Sequence, residues 1–140
     1  MYNRTTLQNG GENEMTIQEV CLKMGLTQDT LRYYEKVGMI PPVGRTAGGT
    51  RNYEDEDLRW ISLAKCLRAA GLPVQAIVEY VHLFRLGDET VSDRLELLRV
   101  QKEAFLDQRR KMDEAIEKLE YKISRYEKGL ALGKVEWKKD

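Results

Sequence analysis

Between Thr30 and Tyr53 the sequence gathers side chains suited to gripping a polyanion. Arg32, Lys36, Arg45 and Arg51 stand against Glu35 alone, and Tyr33, Tyr34 and Tyr53 add hydroxyl groups. Guanidinium and ammonium groups pair with phosphate oxygens, hydroxyls supply neutral donors, and an arginine fork also fits a guanine edge. Across the whole chain, 23 basic residues balance 23 acidic ones, so any anion-binding surface must be local. Two readings follow from the residues: a packed corner of an ordinary domain, or a surface shaped for an anionic partner.

Other chemistry has little to stand on. The two cysteines, Cys21 and Cys66, lie far apart without a further Cys at a metal-ligand spacing, and His82 is the lone histidine. Neither a structural metal site nor a disulfide framework is expected, and no cofactor is implied. No nucleophile–base pair, phosphate-cradling Gly loop or paired carboxylate set can be placed at a cleft, which argues against an enzyme.

The elements that must carry the basic residues are short and well punctuated. In "MTIQEVCLKM", Ile17, Val20, Cys21 and Met24 recur at helical spacing behind Thr16, a cap with Glu19 three residues on. Gly25 stops this helix, and Thr27 opens a second with Asp29 in its first turn, giving a helix-turn-helix. Leu31, Tyr34 and Val37 face inward on the second helix, leaving Thr30, Arg32, Tyr33 and Lys36 outside. After Gly38, "MIPPVGRTAGGTRNY" reads as two short extended pieces around a Gly-rich loop, a small exposed β wing rather than a central strand, because of Pro41 and Pro42.

The acidic run Glu54–Asp57 announces a third helix, with Leu58, Ile61, Ala64 and Leu67 on one face. A fourth starts at Pro73 and carries Ile77, Val78, Val81 and Phe84 to Gly87. With 140 residues, 41% of them hydrophobic, one such core is what the chain supports.

Between Val91 and Lys128 neither Gly nor Pro occurs. Val91, Leu98, Phe105, Met112, Leu119 and Tyr126 recur every seven residues. A second series, Leu95, Lys102, Arg109, Ile116, Ile123 and Leu130, is offset by four. Together they form a coiled-coil seam with two cations in its middle. A single helix cannot bury that seam on itself, so a homodimer is expected; the alternative is a helix folded back on its own domain. Val91, Leu95, Leu98, Phe105, Met112, Ile116, Leu119 and Ile123 are the expected dimer contacts.

The fold class read from this pattern is all-α with a small β wing: a winged helix-turn-helix followed by a long dimerising coiled-coil helix. Its parts are a disordered leader over residues 1–14 with Met15 an alternative start, a winged helix-turn-helix domain over 15–87, a dimerisation helix over 88–128, and a tail over 129–140 begun by Gly129. With no apolar run of about 20 residues and no apolar signal core at the N-terminus, the location expected is cytoplasmic, without a membrane partner.

The succession "LRYYEKVGMIPP", "GRTAGGTRNY" and "DLRWISLAKCLRAAGLP" before a coiled coil resembles the MerR family of bacterial transcription regulators. That resemblance implies a homodimer on an inverted-repeat promoter in double-stranded DNA, serving RNA polymerase indirectly by bending and untwisting the spacer to activate transcription. It places the second helix in the major groove and assigns DNA contact to Thr30, Arg32, Tyr33, Lys36, Arg45, Arg51 and Tyr53. For Tyr34 and Tyr53 a core role stands beside this, and for Arg51 a pairing with the Glu54–Asp57 run. Thr50 departs from the family pattern, where an aromatic residue usually precedes the wing arginine.

After Tyr126 the sequence "EKGLALGKVEWKKD" holds no Cys or His, so neither the cysteine-bearing loop of metal sensors nor the ligand domain of drug sensors is expected. It is similar to the small, aldehyde- and electrophile-responsive subgroup, whose single third-helix cysteine falls at Cys66. Lys65 and Arg68 flank that thiol, and cations of this kind favour a thiolate. An adduct there is expected to overpack a helix–helix contact; plain packing is the alternative for Cys66, as it is for Cys21. The rival to a switched regulator is an architectural or adaptor protein that bends DNA or docks a protein without an effector.

Overall fold

The computed structural model describes residues 14–137. It is mostly helical, with α1 at Ile17–Met24, α2 at Gln28–Val37, α3 at Asp55–Ala69, α4 at Val74–Leu86 and a long α5 at Val91–Leu132. The expected disordered leader lies almost entirely outside the described residues. The chain divides into a compact unit ending at Arg99 and a second beginning at Val100.

In the first unit the boundaries follow from local chemistry. The Thr16 hydroxyl oxygen accepts from the Glu19 N–H at 3.2 Å and caps α1. Gly25 takes the left-handed conformation (φ 66°), and the Thr27 hydroxyl oxygen accepts from the Thr30 N–H at 3.1 Å to start α2. These two caps compress the turn between α1 and α2 into three residues, Gly25 to Thr27. At α3 the Glu54 N–H donates to the Asp57 carboxylate at 2.8 Å, and Asp55, Glu56 and Asp57 crowd the positive helix end.

The core collects Ile17 and Val20 from α1, Leu31 and Tyr34 from α2, Leu58, Ile61 and Ala64 from α3, and Ile77 and Val81 from α4. Truncating a fully buried member such as Leu31 or Ile61 to Ala would cost about 2–5 kcal/mol. Leu67, Val78 and Phe84, expected on the same apolar faces, are half-buried. Trp60 stacks edge-on against Phe84 at 4.8 Å between ring centres. Arg94, near the start of α5, lies over the Phe84 ring at 5.4 Å and donates to the Thr90 hydroxyl and the Gly87 carbonyl.

The expected β wing is not formed as a sheet. Among the described residues there are two isolated antiparallel bridges, Arg45 with Arg51 and Met15 with Tyr53, and no named strand. Met39, Ile40, Pro41 and Val43, expected at the base of an exposed hairpin, are buried instead. The apolar pieces sink into the core, and only the Gly-rich tip stays out.

In the second unit α5 passes through Gly129 and ends at Leu132, so the tail does not begin where the sequence suggested. Gly129 is buried inside the helix, and a Cβ on it would lie 2.6 Å from Val135 Cγ2 and 3.0 Å from the Lys134 carbonyl oxygen. Its role is close approach, not termination. Gly133 (φ 77°) reverses the chain, and Val135 and Trp137 fold back on the helix. Trp137 meets Tyr126 edge-on at 5.2 Å, Lys122 stands 4.6 Å over its ring, and Arg125 donates to the Glu136 carbonyl.

Candidate nucleic-acid interface

The outer side of α2 carries Arg32, Tyr33 and Lys36, all exposed, while Leu31 and Tyr34 turn into the core. This is the amphipathic split the helix spacing predicts. Arg32 is half in solvent, donating from Nη2 to Gln28 Oε1 at 3.0 Å with Nη1 3.6 Å from Asp29 Oδ1. Thr30 is half-buried, and its hydroxyl meets that of Thr27 at 2.9 Å.

The loop following α2 shapes a second basic point. Thr46 and Thr50 close the tip through a backbone bond of 2.8 Å, and Gly49 supplies the left-handed turn (φ 85°). Arg45 is exposed and curls over this tip, donating from Nη1 to the Gly49 carbonyl at 2.8 Å. It is held by the loop yet keeps most of its donors outward.

Glu35 joins the loop to α2. Its Oε1 accepts from Arg51 Nε at 2.7 Å, and its Oε2 accepts from the Val43 N–H at 3.1 Å. Both side chains are largely sheltered, 24% exposed for Arg51 and 15% for Glu35. The acid that faces Arg51 across the loop base is thus Glu35, where the sequence offered the acidic start of α3 as a partner. Glu35 had no expected role of its own, although its position as the sole acid among four cations was the available signal for this junction.

Tyr53, expected among the DNA contacts with a core role beside that, takes the core role. It is fully buried, pinned by its backbone bridge to Met15, so its ring does not reach the surface that bears Arg32 and Arg45. Among the described residues its hydroxyl has no hydrogen-bond partner, and burial pushes the phenol above its usual 10.0, with the Arg51 charge pulling the other way. Tyr34 is likewise buried and raised by burial, with Arg68 opposing.

Cys66 does not sit in a tight helix–helix contact. It is exposed on α3, because Leu58, Ile61 and Ala64 take the inward positions. Its cationic neighbours are engaged with backbone carbonyls, Lys65 with Met24 at 2.5 Å and Arg68 with Leu72 at 2.7 Å. Cys21 is half-buried. Among the described residues no group of three His, Cys, Asp or Glu side chains is placed to hold a metal ion.

Along α5 the expected dimer contacts Val91, Leu95, Leu98, Met112, Ile116, Leu119 and Ile123 are exposed, and Phe105 is half-buried. Leu119, mid-seam in the second unit, is 61% exposed. Among the described residues no helix is long and apolar enough to cross a membrane.

A helix-turn-helix with a basic outer face and a loop locked to its second helix is a DNA-reading arrangement. Residues 15–83 match the family described as MerR HTH family regulatory protein. An uncharacterized HTH-type transcriptional regulator of Haemophilus influenzae is 36% identical over 120 residues, spanning 86% of this chain and 89% of that one. The chain belongs to the MerR family.

MerR regulators are DNA-binding transcription factors, and the other similarities agree. The HTH-type transcriptional regulator AdhR of Bacillus subtilis is 46% identical over 93 residues, 66% of each chain. The crystal structure of a MerR family transcriptional regulator from Listeria monocytogenes superposes with a TM-score of 0.82 at 39% identity, over 85% of this chain and 90% of that one. HiNmlR, a MerR family regulator lacking the sensor domain and solved bound to promoter DNA, gives 0.78 at 35% identity over 86% and 96%.

Proposed function

We propose that this MerR-family chain binds an inverted-repeat promoter as a homodimer and activates transcription by distorting the spacer DNA, with a response to electrophiles through Cys66. The observation that carries the DNA face is the Glu35 junction. It ties the Gly44–Arg51 loop to α2 and so holds Arg45 and the α2 cations in one fixed relation. On this reading α2 enters the major groove with Thr30, Arg32, Tyr33 and Lys36, and the loop serves as the wing, set on the backbone through Arg45. Arg51 shapes the wing from behind.

The exposed heptad series on α5 supports self-association. Leaving Leu119, Ile123 and Tyr126 in water forgoes about 25 cal/mol per Å² of apolar area that a second helix would cover. A two-fold dimer matches an inverted repeat, and bending the DNA between half-sites stores roughly 1–6 kcal/mol, a scale that a change in protomer orientation can release. RNA polymerase then gains through promoter geometry rather than through a dedicated contact. Such a regulator works in the cytoplasm.

Cys66 is the accessible thiol of α3. Addition to an aldehyde forms an S–C bond, opens the carbonyl π bond and moves the thiol proton to the carbonyl oxygen, with no further reactant required. Because Cys66 is exposed, the adduct acts by adding bulk to the surface of α3 and not by overpacking the core. The test is transcription from the cognate promoter with and without a thiol-reactive aldehyde. Induction in the wild type, lost in Cys66→Ser with operator binding preserved, is the expected result. Equal induction in Cys66→Ser overturns thiol sensing, and no response in the wild type favours an architectural protein without a switch.

A further inference from the structure

We infer that Gln28 sets base preference through Arg32, so that the start of α2 reads guanine. This rests on the reading of α2 as the recognition helix. Gln28 is the first residue of α2, and Arg32, one turn on, lies on the same face. In helix-turn-helix docking the N-terminal residues of the recognition helix are those that meet base edges.

The hydrogen bond between the two side chains has a chemical consequence. A guanidinium only donates, so the Gln28 amide must turn its oxygen toward Arg32 Nη2, as it does at 3.0 Å. Its NH2 group then points elsewhere. A glutamine that reads adenine needs both ends of its amide, the oxygen to accept from N6 and the nitrogen to donate to N7. With the oxygen engaged, Gln28 offers donors, and the remaining Arg32 N–H groups are donors as well.

An all-donor array fits one base edge best. Guanine presents two acceptors in the major groove, O6 and N7; adenine and thymine present one each, and cytosine presents a donor. The nearby groups do not undo this. Asp29 reaches Arg32 Nη1 at 3.6 Å from a side chain that is 98% exposed, a loose contact that steadies the far end of the guanidinium. The Thr30 hydroxyl meets Thr27 and does not compete for Arg32.

Arg32 is thus the contacting residue and Gln28 both a contact and a positioning residue. Matched bidentate contacts discriminate by about 1–3 kcal/mol, which is about five- to 150-fold in affinity.

The test is selection of half-sites from a randomised inverted repeat by the full-length protein at fixed salt, followed by titration of the selected duplex and its guanine-to-adenine change. The wild type should favour guanine at one position per half-site by a factor in that range. Gln28→Met, similar in length but without the amide, should lose most of that preference while keeping its affinity for non-specific DNA. Arg32→Met frees the Gln28 oxygen and should move the preference from guanine toward adenine, a change that simple loss of structure would not produce. Wild-type guanine preference retained in Gln28→Met, or no shift toward adenine in Arg32→Met, overturns the inference alone. A wild type that binds no DNA overturns the DNA-binding reading and this inference with it.

Discussion

Glu35, on the last turn of α2, holds Arg51 at 2.7 Å and the Val43 N–H at 3.1 Å with its two carboxylate oxygens. One side chain therefore fixes the basic loop against the helix that would enter the groove. Removing it leaves a sheltered guanidinium and a backbone N–H without an acceptor, a loss of about 1–3 kcal/mol. Glu35→Ala should lower the urea midpoint and weaken operator binding, although the mutation removes a negative charge from a DNA-facing region. Tighter binding in Glu35→Ala would show that charge, not loop geometry, governs the contact.

Tyr53 carries a buried hydroxyl with no hydrogen-bond partner among the described residues. Tyr53→Phe removes the unpaired group and keeps the ring, so the variant should be more stable at neutral pH, by about 1 kcal/mol. The pH dependence follows from the raised folded-state values of Tyr53 and Tyr34. Their contribution is complete below the unfolded phenol value and is lost as pH rises through the higher folded values. Wild-type stability should fall above about pH 10, and less steeply in Tyr53→Phe. Operator affinity should be unchanged in this variant, and a large loss would return Tyr53 to the DNA face.

Gly129 makes room for the returning segment at Val135. In a free helix Gly→Ala would stabilise by about 1 kcal/mol. Here the new methyl would meet Val135 and the Lys134 carbonyl, so the segment must lift off. In a Trp60→Phe background, Gly129→Ala should shift Trp137 emission to the red and make it more accessible to quencher. A more stable variant with unchanged emission would mean that the fold-back is not held at Gly129.

Leu119 tests self-association. Leu119→Asp puts a carboxylate in the middle of the heptad series, where pairing with a second helix would bury it unpaired. Sedimentation at low micromolar concentration should show a dimer for the wild type and a monomer for the variant. A dimer in both would place the interface elsewhere on the chain.

What the sequence disclosed was set by how local the cause is. Thr16, Gly25, Thr27 and Gly38 bound their helices through contacts a few residues away, and the family motif lies in one continuous stretch, so α1, α2 and the turn between them were legible. The pairing of Arg51 was not, because it depends on Glu35, which is distant in sequence, and for Tyr53 the choice between the core and the DNA face, both open in the sequence, is made by a bridge to Met15 that exists only in the fold. Gly129 misled for a related reason: glycine is a good helix stop, and only the return of Val135 shows that this one serves close packing. Cys66 sits beside Ala64 and Leu67 in a pattern that leaves its facing open, and the fold turns it outward.

The central claim is that Arg32 on α2 and Arg45 on the loop grip one DNA duplex. It is tested most directly by the salt dependence of binding to an inverted-repeat duplex selected by the wild-type protein. Each lost phosphate contact lowers the slope of log K against log salt by about 1, and each lost base contact costs about 1–3 kcal/mol. Arg32→Ala and Arg45→Ala should both weaken binding, with the shallower slope most evident in Arg45→Ala, while sedimentation shows an unchanged assembly. Affinity and slope equal to the wild type in both variants would contradict the assignment of this face to DNA.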